Sequence, residues 1–435
     1  MKKKKTKAVL SIVFLITLSA VIAAVQGCSR EETEEPVEIT LMHGWGGTPQ
    51  THKTMSEIYA GFSAENPDIK LNCIPYASSE VVVEQGNDML AVGKMPNIIG
   101  TSGLSYYVKN AVKTGKAMDI LPYIETDPEW KASIAPAVFD TWVTGNNRMY
   151  TLPDVLEVAG YWFNSDYFIQ AGITNENGNA KIPSTWGEFM ETAAKLQEWI
   201  DATGQNISVF ALEDAQTVEF LFLARLAGEG ENGLDACRNS YVRIKSETLE
   251  NVLSDMEQIG NLARWVDNIE NARQCFADGD SIIYFNGVWE SDVLKDSEHM
   301  DVLTYANYPT ESGQSLAYIS PSSGYVLSNQ TNERTAEAEI RFLKYMLSDE
   351  VQTKIAVETG QAPANPNIDM DRVIQESPMF GSAIDEAYGA QIQIKTIFSV
   401  WTQEDINTVQ KYLSRDSWNP GAVIEMLREL NADIG

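Results

Sequence analysis

The chain has 435 residues, 44% of them hydrophobic, with 32 Lys+Arg against 61 Asp+Glu, a net charge of −29, four cysteines and three histidines. It is too long for one small module and too apolar for a disordered chain, so two or three domains around a substantial core are expected. The acidity excludes a general nucleic-acid binder, which needs a basic face for phosphates, and three histidines without a CxxC pair argue against a zinc or thioredoxin-like centre, so neither metal nor cofactor is expected.

Lys2, Lys3, Lys4, Lys5 and Lys7 precede an apolar run from Ala8 to Val25, the charged and hydrophobic regions of a secretory signal. The run ends in Val25-Gln26-Gly27-Cys28, which resembles the bacterial lipobox, where the cysteine is lipidated and becomes the new N-terminus. An uncleaved membrane anchor is the alternative, and the position of the cysteine favours the lipobox. Residues 1–27 are thus expected to be a lipoprotein signal peptide. Its loss, with five lysines, would leave 408 residues and a net charge of −34. Residues 28–36 read as a lipidated acidic tether around Pro36, with Glu31, Glu32, Glu34 and Glu35 repelling one another. Cys73, Cys237 and Cys275 remain, which leaves a Cys237–Cys275 bond open and implies no disulfide framework.

Val37 to Met42 alternates apolar and polar residues, as a strand does, and runs into the glycine-rich turn His43-Gly44-Trp45-Gly46-Gly47. Met55, Ile58, Tyr59 and Phe62 fall on one helical stripe, which Pro67 ends. Ile69, Leu71 and Cys73 alternate as a second strand, Val81 to Gly93 reads as a helix, and Asn97 to Gly100 as a short strand. Alternation of strand and helix points to an α/β fold with mostly parallel sheets. A turn at Gly145-Asn146-Asn147 leads to Met149–Pro153 and then a strand from Val158 to Phe163. Ser184 or Thr185, with Glu188, caps a helix through Leu196 on which Trp186 and Trp199 are expected in the core. Ser281 to Phe285 is a buried strand before the turn Asn286-Gly287, and Ala336, Ile340, Leu343, Leu347, Val351 and Ile355 share helical spacing.

Several stretches, in this order, resemble the extracellular solute-binding proteins of bacterial ABC importers, in the carbohydrate-type branch that includes maltose-binding protein. They are Phe62-Ser63-Ala64-Glu65-Asn66-Pro67-Asp68-Ile69, and Gly93-Lys94-Met95-Pro96-Asn97-Ile98-Ile99, where Asn97 replaces the common Asp. Met149 to Asn164 resembles the first interdomain crossover, and Ala171-Gly172-Ile173 followed by Pro183-Ser184-Thr185-Trp186-Gly187-Glu188-Phe189 is a characteristic pattern. Phe276-Ala277 through Asn286-Gly287-Val288-Trp289, Phe342 to Gln352, and Thr359-Gly360-Gln361 with Pro363 complete the series over nearly all of the chain beyond the signal. The resemblance implies a two-lobed, periplasmic-binding-protein-like α/β fold with a ligand cleft between the lobes. Residues 37–158 plus 309–345 would form lobe one, and 159–308 plus 346–435 lobe two.

Sugars need aromatic platforms for their C–H faces and polar side chains for their hydroxyls. Trp45 is a candidate because its glycine-rich turn follows the first strand, where glycines offer little to pack against. Thr101 and Ser102 end the Ile98-Ile99 strand and would face the cleft. Asp154 and Glu157 follow Pro153 at the crossover, and a carboxylate can accept from two adjacent hydroxyls. By resemblance, Glu157 aligns with a sugar-contacting acid, Trp289 with the stacking tryptophan of lobe two, and Trp401, just before a helix from Glu404 to Leu413, with a late stacking aromatic. Ser323, Gly324 and Tyr325 resemble a small-residue turn that lets backbone approach ligand. Each has a bland counterpart in core packing, an ordinary turn or a solvated loop acid, and His43 beside the turn is expected to be structural.

The expectation is a monomeric, non-catalytic binding component, lipid-anchored outside the cytoplasmic membrane, that captures a sugar or oligosaccharide and passes it to ABC permease subunits. The alternatives are a secreted glycoside hydrolase, for which Asp154 and Glu157 would be the acid pair, and a cell-surface glycan adhesin. No GxSxG, HExxH, Walker A or GxGxxG stretch supports another chemistry.

Overall fold

The computed structural model describes residues 35–47, 49–102, 106–214, 217–321, 323–329, 332–396, 400–413 and 423–431. The signal segment, the lipobox and Cys28 lie outside the described residues, as does all of the tether before residue 35. Two sheets organise the chain. The smaller has β1 (Val37–His43), β2 (Ile69–Pro75), β3 (Ile98–Ser102) and β10 (Ser323–Leu327) in the order β10-β3-β1-β2. β1, β2 and β3 are parallel, whereas β10 runs antiparallel to β3 with Ser323 opposite Ser102.

The larger sheet runs β12-β9-β4-β7-β5-β6, with β8 and β11 also paired to β4. Its strands are β4 (Val155–Asn164), β5 (Ser208–Leu212), β6 (Ala263–Trp265), β7 (Ser281–Gly287), β8 (Leu303–Ala306), β9 (Leu316–Ser320), β11 (Ala362–Pro363) and β12 (Ile392–Ile394). Helices cover both sheets, giving the expected mixed α/β, two-lobed architecture. β9 lies in the larger sheet although residues 309–345 were assigned to lobe one, and the Asp349–Thr359 helix packs on the Pro49–Glu65 helix of the smaller sheet. Among the described residues no helix is long and apolar enough to cross a membrane.

The chain crosses between the sheets at Leu152–Val155 and at Ser320–Ser323, and each crossing contains a proline, Pro153 or Pro321. Leu152 is bonded to Tyr325 of the smaller sheet in both directions, at 3.1 and 2.9 Å, while Glu157 lies opposite Ser320 in the larger one. The two crossings therefore run side by side.

Local chemistry explains the elements. Met55, Ile58, Tyr59 and Phe62 are all buried, as their spacing requires, and the Asn66 amide donates to Phe62 O at 2.9 Å where that helix ends. The Trp186–Thr203 helix begins with a reciprocal cap. Thr185 Oγ1 accepts from Glu188 N at 3.1 Å, and Glu188 Oε2 accepts from Ser184 N at 2.9 Å. Trp186 is fully buried, and Trp199 packs on the same core from a half-buried position. The single helical spacing from Ala336 to Ile355 is two helices, Glu333–Met346 and Asp349–Thr359, because Ser348 caps the second and breaks the first. Cys73, Cys237 and Cys275 are free thiols.

Asn97, where an aspartate is common, accepts from Thr40 N at 3.0 Å and donates to Glu339 Oε1 at 3.0 Å. Glu339 is fully buried, and burial pushes its carboxyl up to about 8 against the lowering effect of Asn97. An aspartate at 97 would set a second carboxylate against it. A carboxyl raised in the folded state holds a proton that the unfolded chain releases, so its stabilising contribution is complete below pH 4.5 and is lost as pH rises through about 8. Glu339→Gln keeps the acceptor and removes the ionisation. Its advantage over the parent in urea unfolding is expected to grow from near zero at pH ~5 to about 3 kcal/mol at pH ~8. An advantage independent of pH would mean that Glu339 does not titrate in this range.

Candidate functional site

Strand register brings the predicted residues to one place. β1 and β3 end at His43 and Ser102, and β10 begins beside that end with Ser323 opposite Ser102. In the larger sheet β5 and β7 are parallel and end at Leu212 and Gly287, and Gly287 lies opposite Ala159 near the start of β4. Because β9 ends at Ser320 opposite Glu157, all these termini share one edge. The carboxyl edges of both sheets therefore meet where the chain crosses, the location where open α/β sheets bind ligands. Thr101, Ser102 and Ser323 are placed there by their backbones.

On the smaller sheet the site is built around Trp45, Asp154 and Tyr325. The glycines beside Trp45 are required by close approach: a Cβ at Gly44 would sit 2.6 Å from Ser79 N, at Gly46 2.5 Å from Tyr76 O, and at Gly47 2.3 Å from Ala77 O. The turn is thus packed, not open, and Trp45 lies half-buried against the core. Its backbone N–H donates to His43 Nδ1 at 3.3 Å. His43 is buried against Tyr59, with ring centroids 5.0 Å apart, and burial followed by the charge of His52 lowers it to about 4, so it stays neutral. The Tyr59 and Tyr325 hydroxyls are 3.2 Å apart. Asp154 is buried beside them, and burial raises its carboxyl against hydrogen bonds from Tyr325, its own backbone, Trp45 and Val155 that lower it. Gly324 is the close-approach residue anticipated from the sequence, since a Cβ there would lie 2.4 Å from Leu152 O.

On the larger sheet Glu157 is the one residue of β4 that is not buried. The Tyr318 hydroxyl lies 3.4 Å from Glu157 Oε2 and 3.4 Å from Glu219 Oε1. It has one proton to give, so the two carboxyls compete for it. Burial, followed by the charge of Glu157, pushes Glu219 up to about 8 against the Tyr318 bond that lowers it. At neutral pH Glu219 therefore holds its proton. Phe220 stands between Tyr318 and Trp289, with ring centroids 5.7 and 5.8 Å from them. Trp289 lies on Gly287 and is held from behind: Arg273 forms a two-pronged ion pair with buried Glu290, which also accepts from Asn286 Nδ2 at 2.9 Å. Trp289 and Glu157 thus meet through Phe220 and Tyr318.

A family model described as bacterial extracellular solute-binding protein matches residues 57–381, well over half of the chain. The chain belongs to that family. Among solved structures, this solute-binding protein is similar to a Streptococcus pneumoniae solute-binding protein in complex with the blood group A-trisaccharide, at 20% identity over 91% of this chain and 98% of that one, with a TM-score of 0.71. A chitin oligosaccharide binding protein matches at 17% identity over 92% and 99% of the two chains, with a TM-score of 0.74. The GacH receptor of Streptomyces glaucescens, solved unliganded and with acarbose, matches at 14% over 92% and 100%, with a TM-score of 0.69. These likenesses establish a fold shared with sugar-binding solute-binding proteins, whose family and neighbours are binders, not enzymes. No curated protein sequence matches the chain.

Trp401 is not brought to either cluster of the solute-binding protein. It is buried, its indole N–H donates to Ala236 O at 2.8 Å, and it packs edge-on to Phe222 with centroids 6.3 Å apart. Sequence reasoning passed over Glu213, Glu219, Phe220, Tyr59 and Tyr318. Glu213 follows the end of β5 as Trp45 follows β1, so the strand-end rule reaches it. Glu219 and Phe220 sit on a π-helical turn, Thr217–Phe222, whose wider winding has no periodic sequence signature. Towards β12, a groove of about 440 Å³ separates Asp140 and Thr141 from Arg238, Ser240, Gln393 and Lys395, bridged by Lys395 Nζ donating to Asp140 O at 3.2 Å.

Proposed function

We propose that this solute-binding protein captures a sugar or oligosaccharide between the two carboxyl edges and delivers it to the transmembrane subunits of an ABC permease. Lipid on Cys28 would hold it at the outer face of the cytoplasmic membrane. One jaw is built on the smaller sheet with Trp45 and Asp154, the other on the larger sheet with Trp289 and Glu157. The observation that carries this reading is the pairing of an indole with a carboxyl on each jaw, at the edge where the crossings join them. An indole gives a sugar ring its apolar face, and a carboxyl accepts from its hydroxyls. Neighbours solved with the blood group A-trisaccharide and with acarbose support the ligand class. The lysine-rich leader and lipobox support the anchor.

Both jaws touch ligand only when closed, so binding shifts the population toward the closed form that a permease receives. Titration with neutral oligosaccharides is expected to give a saturable change in tryptophan fluorescence, together with a smaller radius of gyration by solution scattering. No saturable change across a broad glycan panel would overturn sugar capture and favour a scaffold. Cleavage of a labelled oligosaccharide by the purified protein would replace it with a hydrolase.

A further inference from the structure

We infer that the preferred ligand is a uronic-acid oligosaccharide, whose carboxylates lie in a basic trench leading from the gap between the lobes onto the smaller-sheet lobe. The inference rests on sugar capture as proposed above and names the substrate class. The trench begins in the groove of about 440 Å³ beside β12. β12 runs parallel to β9 with Ile394 opposite Tyr318, so Lys395, the next residue, stands at the carboxyl edge of the larger sheet. Arg238, the last residue of the Glu231–Arg238 helix, lines the same groove. The facing wall is Asp140 and Thr141 on the Pro136–Trp142 helix, whose Val138 and Trp142 share a core with Ile39 and Leu41 of β1.

Thr141 also lines a second groove, of about 420 Å³, which continues the trench along the Tyr106–Lys113 helix. Lys109 and Lys113, one helical turn apart and both exposed, line it together with the half-buried Tyr150.

Charge sets the trench apart. The chain has 61 acidic against 32 basic residues, yet four cations and one acid, Asp140, line these two grooves. None of the four cations forms an ion pair among the described residues. Lys395 is half-buried and its ammonium reaches only the backbone carbonyl of Asp140, at 3.2 Å, which leaves two of its three donors unused. Burial lowers it against the charge of Asp140, so an anion placed there would stabilise an ammonium already short of water. Arg238 is exposed, and its planar fork suits a carboxylate. All four cations are within a ligand's reach.

A uronate answers each feature. Every ring carries a carboxylate for the cations, hydroxyls for Thr141, Ser240 and Gln393, and an apolar face for Tyr150. A neutral sugar offers the cations only hydroxyls. Asp154 and Glu157 accept from hydroxyls and give an acid nothing, so its carboxylates belong in the trench.

The test is calorimetric titration at neutral pH with oligomers of galacturonate, mannuronate and glucuronate, each as the free acid and as its methyl ester, with neutral glucose oligomers alongside. The best-bound acid is expected to exceed its ester at least about tenfold in affinity, with an advantage that shrinks as salt rises. The pairs Lys395→Gln with Arg238→Gln, and Lys109→Gln with Lys113→Gln, each checked for an unchanged urea midpoint, should each reduce that advantage, and the four together should erase it. Equal or tighter binding of the esters, or binding confined to the neutral oligomers, overturns the inference and leaves sugar capture standing. An acid preference that survives the fourfold variant also overturns it, by moving recognition elsewhere. Capture of phosphatidylglycerol vesicles through these four cations, with no acid preference among saccharides, overturns it by assigning the trench to the membrane. Failure to bind any saccharide overturns both.

Discussion

Alanine in place of Arg225 is expected to lower the free energy of unfolding by about 3–5 kcal/mol, the usual result of removing one partner from a buried ionic network. Arg225 is 2% exposed on the Leu223–Gly228 helix and joins four separate pieces of the larger-sheet lobe. It pairs with Glu229 at 2.5 Å, with Asp255 on the Ser246–Asn261 helix at 2.7 Å, and with Glu311 at 3.2 Å. Its guanidinium also lies 5.3 Å from the centre of the Trp186 ring. Glu229 and Asp255 are 12% and 20% exposed and would be left as charges with little water, whereas Glu311, at 44%, would be rehydrated. Truncation also opens a void against Trp186. Urea unfolding measures the loss, and Arg225→Met, which restores the packed stem without the charge, should recover part of it. A loss under about 1 kcal/mol would place this network with ordinary surface pairs.

Gly287→Ala is expected to weaken saccharide binding at least about 100-fold while leaving the urea midpoint near that of the parent. Gly287 has φ −85° and ψ 175°, angles open to any residue, so the objection is purely steric. A Cβ there would lie 2.1 to 2.4 Å from three ring carbons of Trp289. The backbone cannot yield, because Gly287 O accepts from Trp162 Nε1 at 2.9 Å and Gly287 N donates to Asn286 Oδ1 at 2.7 Å. The indole must therefore leave its seat on the glycine, taking the larger sheet's platform with it. Calorimetry reads the affinity, and tryptophan emission reports the displaced ring. Unchanged affinity would show that Trp289 takes no part in binding.

Much of the frame was legible because single physical signals carried it. The stripe Met55, Ile58, Tyr59, Phe62, the alternation in β1 and β2, and the cap at Thr185 and Glu188 are all local, and the structure realises them. The two-lobed plan came from the resemblance. What was hidden depends on contacts distant in sequence. Tyr318 belongs to a fully buried strand, and only pairing with β4 and the Thr217–Phe222 turn turns its hydroxyl toward two carboxyls. Trp401 has the position of a stacking aromatic, yet Ala236 O, 165 residues away, engages its indole. The glycines around Trp45 suggested open space, and they mark tight contact with Tyr76–Ser79 instead.

The two antiparallel crossings bear on how the proposed closure would proceed. Glu157 and Ser320 face each other within the larger sheet, and Leu152 and Tyr325 clasp each other at the smaller one. Pro153 on one path and Pro321 on the other each fix one torsion. Under the closure proposed above, two short pins set side by side would permit swinging about the line that joins them and resist twisting and sliding. The joint would then work as a door hinge rather than a ball joint, bringing the edges that carry Trp45 and Trp289 together along one path.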